Sequence, residues 1–404
     1  MRLISLSNAA LDAALTRRGG AALGASISAA AGQARESTAV TRFATQMPQW
    51  SDQMGKSMTD AAPPPTLPET QRLPGVLARY RDPKLAWSLT EIAVTFAPFV
   101  ALWAAMWALM HVSYWLTLAL ALPAAGFLVR LFLIQHDCGH GAFFRHRAIN
   151  DWVGRVFGVV TLTPYDYWKR THAAHHATAG NLDRRGLGDI VTLTVGEYLA
   201  LSWRRRLRYR LYRNPAVMFG LGPTYLFLLQ HRAPLGLMGE GWKPWLSTMS
   251  TNLGAAVVIA ALMWLIGPAP FLLIHGPIFV LAATIGVWLF YVQHQFENTR
   301  WAHEAQWSLP EAALHGSSYY DLPLVLRWFS ANIGVHHVHH LSSRIPFYRL
   351  REVLRDYPEL GTISRVTLWQ SLRCVNYTLW DEDAQRLISF GALRRKLRGS
   401  SAAA

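Results

Sequence analysis

The sequence predicts an all-α integral membrane protein with four transmembrane helices in two hairpins and a cytoplasmic helical cap. Two stretches, residues 92–129 and residues 244–296, contain no Asp, Glu, Lys or Arg. A helix over either stretch would be much longer than a hydrocarbon core of about 30 Å, so each stretch must cross the membrane twice. The composition agrees, since 51% of the residues are hydrophobic and 16% are charged.

Turn signals divide each uncharged stretch into two crossings. The first stretch is predicted to break near residues 111–114, and the second breaks at Gly267-Pro268-Ala269-Pro270. The second hairpin therefore has crossings at 253–266 and 271–293, the first of which is short and could begin as early as Trp245. Residues 152–162 and 215–229 are apolar but too short to span, which is typical of helices that lie in the membrane interface.

The two ends of the chain have a different composition. Residues 1–75 are rich in Ala, Ser and Gly and end in a Pro linker, which predicts a disordered tail, although a transit peptide has the same composition. Residues 76–388 are predicted to form the membrane domain. Residues 389–404 are predicted to be a basic disordered tail.

Charge predicts the orientation of the four crossings. The turns within the hairpins carry no Lys or Arg, whereas the segment between the hairpins contains Arg184, Arg185 and the run Arg204–Arg206. By the positive-inside rule that segment is cytoplasmic, and so are both termini. The net charge of +15 indicates an anionic partner. We predict no nucleic-acid binding, because the basic residues flank apolar runs and form no nucleic-acid motif.

Nine of the sixteen histidines fall in three short clusters. The clusters are His136-Asp137-Cys138-Gly139-His140, His172-Ala173-Ala174-His175-His176 and His336-His337-Val338-His339-His340. Residues separated by three or four positions share one face of a helix, so their imidazoles can point at one centre. The first cluster and His294 are predicted at the cytoplasmic ends of crossings, the second cluster follows an interfacial segment, and the third lies after the fourth crossing. All of them are therefore predicted on the same side of the membrane, where they can converge.

So many neutral imidazoles predict a metal site with two ions. Packed together without metal, the rings would leave many nitrogens unsatisfied and would repel one another once protonated. A structural zinc needs only four donors, so eight or nine histidines imply two metals. A metal transporter is disfavoured because transport sites lie at mid-bilayer, whereas these clusters lie at helix ends.

The sequence resembles the membrane-bound fatty acid desaturases, which carry HxxxH, HxxHH and HxxHH histidine boxes. The similarity extends beyond the boxes, over roughly residues 80–360, and is closest to the bacterial acyl-lipid or omega-6 (delta-12) branch. The segments that carry it are HDCGHGAFF (136–144), TPYDYWKRTHAAHHATAGNLDRRGLGDI (163–190), YVQHQFENTRW (291–301) and GSSYYDLPLVLRWFSANIGVHHVHHLSSRIPFYRL (316–350).

The resemblance implies a histidine-rich di-iron site on the cytoplasmic face that uses O2 and two electrons to introduce a cis double bond into an acyl chain. The implied iron ligands are His136, His140, His172, His175, His176, His294, His336, His339 and His340. His337 and His146 are predicted to be non-ligands. His337 is predicted to face outward, either behind the ligands or at the surface. One helical turn before His294, some family members supply a further polar ligand. Phe290 occupies that place here, so Gln293, Gln295 or water would have to replace it.

The resemblance also implies the partners and the location. The substrates are membrane lipid acyl chains, and a bacterial inner membrane is the expected site. The chain has no dinucleotide, flavin or cytochrome b5-type haem motif, so an external donor, a ferredoxin or cytochrome b5-like protein, must supply electrons. The arginine-rich segment could dock such an acidic electron-transfer protein, or it could bind anionic lipid. A di-iron acyl hydroxylase remains the alternative activity.

Acidic and aromatic residues near the histidine clusters are candidates for further roles at the site. Asp189 and Glu297 rank first as acids that orient metal-bound imidazoles, because each is close in sequence to a box or to His294. Seven aromatic residues near the boxes could line an acyl tunnel, or could belong to the interfacial aromatic belt. They are Phe143, Phe144, Tyr165, Tyr167, Trp168, Trp288 and Trp301.

Overall fold

The computed structural model describes residues 75–403 together with Leu73. Almost all of the predicted N-terminal tail therefore lies outside the described residues. In the described part, four helices are long and apolar enough to cross a membrane. These helices form two hairpins, which confirms the predicted helical membrane fold with four crossings.

The first hairpin consists of α1 (Leu85–Leu109) and α2 (Tyr114–Gly139). The turn between them lies where the sequence predicts the break. Five shorter helices and one strand follow before the second hairpin. They are α3 (Arg147–Val160), α4 (Tyr165–Thr178), β1 (Leu193–Thr194), α5 (Val195–Ala200), α6 (Trp203–Tyr212) and α7 (Gly222–Leu228). α3 overlaps the first of the two segments predicted to lie in the interface, and α7 forms the second half of the other.

The second hairpin consists of α8 (Trp242–Ile266) and α9 (Pro268–His294). The crossing predicted at 253–266 begins earlier, at Trp242, and is as long as α1. Gly267 makes the tight turn between the helices with a φ of 91°, a conformation that favours glycine. Pro268 then occupies the first helical turn, where its missing N–H costs nothing.

The cap consists of the segment between the two hairpins and the segment after α9. In the described residues, the segment after α9 contains six α-helices and four short strands. They are α10 (Leu309–Gly316), β2 (Tyr319–Asp321), α11 (Leu324–Phe329), α12 (His336–Leu341), α13 (Leu350–Asp356), β3 (Arg365–Thr367), α14 (Leu368–Ser371), β4 (Leu379–Asp381), β5 (Arg386–Ile388) and α15 (Phe390–Ala403). β1 pairs in parallel with β4 and β4 antiparallel with β5, while β2 pairs in parallel with β3. The sequence did not predict these strands, because two or three residues are too few to show an alternating pattern.

The C-terminal segment differs from its prediction of a disordered tail, since Phe390–Ala403 forms α15. Leu393 is buried, and the Phe390 ring lies 5.5 Å from the ring of Tyr198. The Lys396 ammonium lies 3.0 Å from a carboxylate oxygen of Asp381. The basic composition suggested solvated charge, but these apolar and ionic contacts hold the helix against the β4–β5 hairpin.

α2 is the central helix of the membrane region and packs against α1, α3 and α9. Arg130 is buried near its middle and pairs with Glu91 on α1. The Arg130 guanidinium also donates to Thr95 of α1 at 3.1 Å and lies 4.1 Å from the ring centroid of Trp328 on α11. A charge at this depth is costly unless it is paired, so these contacts tie α1, α2 and the cap together. They lie less than two helical turns from His136.

Candidate metal centre

Four separate segments bring the predicted histidines to one place. His136 lies in the last turn of α2 and His140 caps that helix, while α4 carries the second cluster. His294 is the last residue of α9, and the third cluster forms most of α12. The Tyr165 hydroxyl donates to the Cys138 carbonyl at 2.9 Å, which holds the start of α4 against the end of α2.

The nine predicted ligands divide into a group of five and a group of four. Within each group, one ring nitrogen of every member lies within 4.8 Å of the others. The five-histidine group contains His136, His140, His172, His176 and His339. The four-histidine group contains His175, His294, His336 and His340. The four-histidine group is wholly buried, whereas three members of the five-histidine group are only half-buried.

Neighbouring Nε2 atoms face one another at hydrogen-bond distance in both groups. In the five-histidine group, Nε2 of His172 lies 3.1 Å from Nε2 of His140 and 3.1 Å from Nε2 of His176. In the four-histidine group, Nε2 of His294 lies 3.1 Å from that of His175 and 3.0 Å from that of His336. An imidazole nitrogen has either one hydrogen or one lone pair in the ring plane, so it cannot satisfy two such neighbours at once.

A cation at the centre of each group removes this conflict, because it accepts every lone pair. Two imidazole nitrogens bound at about 2.1 Å lie about 3.0 Å apart when they meet at a right angle, and about 3.4 Å apart at the tetrahedral angle. The observed spacings of 3.0 and 3.1 Å favour the right angle. The donor set therefore fits two ions of five or six ligands better than a tetrahedral zinc site.

Burial keeps these imidazoles in the neutral form that binds metal. Desolvation, followed by repulsion from neighbouring imidazoles, holds the pKa of six rings outside the membrane spans well below the ordinary histidine value. The six are His140, His172, His176, His336, His339 and His340. Protons therefore compete weakly with metal at these sites at neutral pH.

Acceptors on the far side of three rings orient them toward the two centres. The Asp189 carboxylate lies 2.5 Å from Nδ1 of His175, as its position near the second cluster predicts. The Asp137 carboxylate lies 3.1 Å from Nδ1 of His136, and the Gly316 carbonyl lies 3.3 Å from Nδ1 of His294. An acceptor at Nδ1 fixes the tautomer and the direction of a metal-binding ring.

The prediction for Glu297 is wrong, since its carboxylate makes no hydrogen bond to a histidine among the described residues, and the Gly316 carbonyl lies at Nδ1 of His294 instead. α9 ends at His294, so Glu297 is not part of this helix. Only in a continued helix would Glu297, three residues later, lie on the same face as His294. Gly316 was not predicted, because a backbone carbonyl leaves no trace in the residue types.

A glycine allows the Asp189 loop to approach α4. Gly188 has a φ of 84°, and a Cβ there would lie 2.8 Å from the Thr171 carbonyl and 3.2 Å from Cβ of His175. Any side chain would push the loop away from α4. The Asp189 contact with His175 therefore depends on Gly188.

His337 does not join either group and is buried, so of its two predicted positions it occupies the one behind the ligands and not the one at the surface. Its Nε2 lies 2.8 Å from the Leu360 carbonyl, on the side of α12 away from the two centres. His146 is exposed ahead of α3. The remaining histidines of the described residues, at positions 111, 231, 275, 303 and 315, also lie outside both groups.

Phe290 packs against the four-histidine group, with its ring 5.1 Å from that of His175 and 5.4 Å from that of His294. The two glutamines that could replace a polar ligand here are engaged elsewhere. Gln293 donates to the Ile333 carbonyl, and Gln295 donates to Thr192. A cavity of about 10 Å³ beside His175, Phe290 and His294 has room for one water-sized ligand.

Of the predicted aromatic residues, Trp168 lies nearest to the histidines. Its ring stacks on that of His172 at 4.5 Å and lies 5.7 Å from that of His136. Trp301 belongs instead to a separate apolar cluster with Trp380. Trp168 and Phe290 therefore form apolar walls, one against each group.

Known proteins match this chain over the segment that holds the histidines. The family model described as fatty acid desaturase matches residues 113–371. A Bacillus subtilis protein named fatty acid desaturase is 46% identical over 318 residues, which are 79% of this chain and 90% of the relative. A Synechocystis protein named sn-1 acyl-lipid omega-3 desaturase (ferredoxin) is 30% identical over 60% of this chain and 68% of the relative. The sn-1 oleoyl-lipid 12-desaturase of that organism is 29% identical over 55% of this chain and 63% of the relative.

Removing one ligand from either group should release metal. We expect His175→Ala and His339→Ala each to lose about one metal ion per chain, because a buried site that lacks a donor binds weakly. Elemental analysis of detergent-purified protein measures this loss. His337→Ala is the matched control, since it removes a buried ring of the third cluster that contacts neither group. Equal metal content in all three variants would contradict the assignment.

The role of Asp189 can be tested without altering a ligand. Asp189→Asn keeps the shape of the side chain but removes the charge that orients His175. We expect metal affinity at the four-histidine group to fall roughly 10- to 100-fold, measured by competition with a chromogenic chelator. Asp183→Asn in the same loop is the control, because Asp183 pairs with the exposed His303. An unchanged affinity in Asp189→Asn would show that its contact with His175 has no effect on the metal.

Proposed function

The chain belongs to the fatty acid desaturase family, and from this we propose that its nine histidines hold two iron ions for the O2-dependent removal of two hydrogens from a lipid acyl chain. The protein is a membrane oxidoreductase that desaturates fatty acyl chains. The proposal of two irons rests on one observation, the division of the histidines into two groups with facing Nε2 atoms. All nine fall within the segment that the family model matches.

The substrate explains why a redox metal is needed. No side chain can deprotonate an unactivated methylene, so general acid and base catalysis cannot start this reaction. When bound, the two irons would supply the oxidising chemistry. The acyl chain gives up two hydrogen atoms, which are two protons and two electrons. An external donor gives two further electrons and the solvent gives two further protons, so that one O2 is reduced to two waters.

The residues of the chain hold the site and shape it. Neutral imidazoles bind the metals, and Asp189, Asp137 and the Gly316 carbonyl fix three of the rings. Trp168 and Phe290 place apolar surface directly against the two groups, and such surface favours an acyl chain over bulk water. The half-buried five-histidine group is the more accessible of the two.

We propose an acyl chain esterified in a membrane lipid as the substrate, and the delta-12 (omega-6) position for the new double bond. The name of the Synechocystis relative, sn-1 oleoyl-lipid 12-desaturase, supports both points. The alternative of a hydroxylase is not favoured, because the matching proteins are named desaturases.

We further propose that electrons come from an external acidic protein, a ferredoxin or a cytochrome b5-like protein. One relative is named as using ferredoxin, and the sequence contains no flavin, dinucleotide or haem motif of its own. The net charge of +15 favours association with an acidic partner.

The product is the most direct test of the proposed function. A bacterial host that makes no polyunsaturated lipid is supplied with oleate and expresses the chain. We expect mass spectrometry of its lipids to show acyl chains lighter by two hydrogens, with the new double bond at delta-12. Chains heavier by one oxygen would indicate a hydroxylase, and a double bond elsewhere would refute the proposed position. His339→Ala should give no product, whereas His337→Ala should retain it.

We propose that the histidine side of the protein and both termini face the cytoplasm of a bacterial cell, as the arginine-rich segment between the hairpins indicates. Val112 is 73% exposed in the turn between α1 and α2, and both native cysteines are buried. We expect a membrane-impermeant maleimide to label Val112→Cys in intact spheroplasts. Arg394→Cys on the cap should be labelled only after lysis. The reverse pattern would invert the orientation.

A further inference from the structure

Helix α6 presents an exposed apolar stripe. Trp203, Leu207 and Leu211 are 69%, 49% and 53% exposed, and they follow one another at intervals of four residues. This spacing places all three side chains on one face of the helix. The stripe is contiguous, unlike the single exposed apolar residues that are normal on a soluble surface.

Exposed arginines lie beside this stripe. Arg204, Arg205 and Arg208 are exposed, and no carboxylate among the described residues pairs with them. The Arg204 guanidinium lies 5.3 Å from the ring centroid of Trp203, so the basic and apolar surfaces meet. Arg206, in contrast, is only half-exposed and donates to the Leu201 carbonyl at 2.9 Å.

The remaining face of α6, which is neither apolar and exposed nor basic and exposed, is buried and contacts the segment that carries His294. Tyr209 is buried, and Arg213, directly after the helix, is buried too. Arg213 donates to the Tyr291 hydroxyl at 3.1 Å and to Oε1 of Gln295 at 2.9 Å. These two residues flank His294, so the end of α6 lies at the level of the four-histidine group.

The chain enters the membrane region immediately after α6. The Phe219 carbonyl accepts a hydrogen bond from Thr284 of α9 at 2.8 Å, and the Phe219 ring lies 5.0 Å from that of Trp288. Thr284 lies nearly three helical turns before His294, about 15 Å along the helix axis. The end of α6 is therefore joined by a short segment to the membrane-spanning part of α9.

We propose that α6 binds anionic lipid headgroups, with Trp203, Leu207 and Leu211 in the acyl region and Arg204, Arg205 and Arg208 on lipid phosphates. A helix with an apolar stripe, a basic stripe and a position at the membrane rim has the features of an interfacial helix. The alternative binding partner for these three arginines is an acidic electron-donor protein. The adjacent apolar stripe and the short link from α6 to the membrane-spanning α9 favour lipid.

Lipid binding at α6 would support the four-histidine group from outside. Tyr212 accepts a hydrogen bond from the Val191 amide at 3.2 Å, and Arg213 donates to the Val191 carbonyl at 3.3 Å. Val191 follows Asp189, the acceptor for His175, by two residues. Because α6 holds the segments that carry Asp189 and His294, anionic lipid should increase turnover. This consequence rests on the proposed function, whereas the lipid contact does not.

The depth of α6 can be measured without activity. A spin label on Leu207→Cys, in full-length protein in vesicles of phosphatidylcholine and phosphatidylglycerol, should be relaxed by O2 more strongly than by a water-soluble nickel complex. The same label on Arg394→Cys should show the opposite preference. A label at position 207 that lies in water and becomes protected when an acidic ferredoxin is added would overturn the proposal in favour of protein docking.

The arginines are tested with a charge-matched control. R204Q/R205Q/R208Q and R394Q/R395Q/R398Q remove the same charge, from α6 and from α15. Native mass spectrometry counts the bound phosphatidylglycerol and so measures its affinity. Each arginine near the membrane surface should contribute about fivefold to this affinity. We therefore expect the affinity to fall at least tenfold in the α6 variant. It should change less than twofold in the α15 variant.

Equal losses of lipid in the two variants would refute specific binding at α6. Desaturation by wild-type protein in vesicles with and without phosphatidylglycerol is the second measurement, and we expect at least threefold faster turnover with the anionic lipid. If α6 binds phosphatidylglycerol and the label at position 207 lies in the bilayer, but no desaturated product forms, the proposed function is refuted and the lipid contact is not. Product formation that does not depend on phosphatidylglycerol would refute the support of the four-histidine group by α6.

Discussion

The packing of nine imidazoles around two centres is the constraint on which the rest of the structure depends. Their Nε2 atoms face one another at about the distance set by two ligands of one ion, and hydrogen bonds alone cannot satisfy such a set. Each ring must also be neutral, which burial ensures by lowering the pKa of the cap histidines. The protein therefore has to exclude water from a region that lies next to the membrane surface.

The two hairpins and the cap share this task. α2 and α9 deliver His136 and His294 at their ends, and α4 and α12 deliver the remaining clusters from the cap. The buried ion pair of Arg130 with Glu91 joins α1, α2 and α11 close to the first cluster. A desaturase needs this rigidity, because the carbon that is oxidised is chosen by position and not by chemical reactivity.

The surroundings of the two groups differ, and the difference is consistent with a division of roles. The five-histidine group is half-buried beside Trp168, whereas the four-histidine group is buried beside Phe290 and a small cavity. The four-histidine group is also the one that Asp189, Gly188 and α6 support from the cap. The helix with the exposed apolar and basic faces is thus joined, through Arg213 and Gln295, to the segment that carries His294.

The sequence by itself determined the four crossings, their turns, the nine histidines and the family, because apolar length and helical spacing are local properties. It predicted Asp189 for the same reason, since that residue lies close to its partner along the chain. Only the tertiary structure decided that His175 belongs to the four-histidine group, although its sequence neighbours His172 and His176 belong to the five-histidine group. It also decided that the Gly316 carbonyl and not Glu297 contacts His294, and that the basic C-terminal segment is a packed helix. These outcomes depend on contacts between segments far apart in the chain, which local residue patterns do not encode.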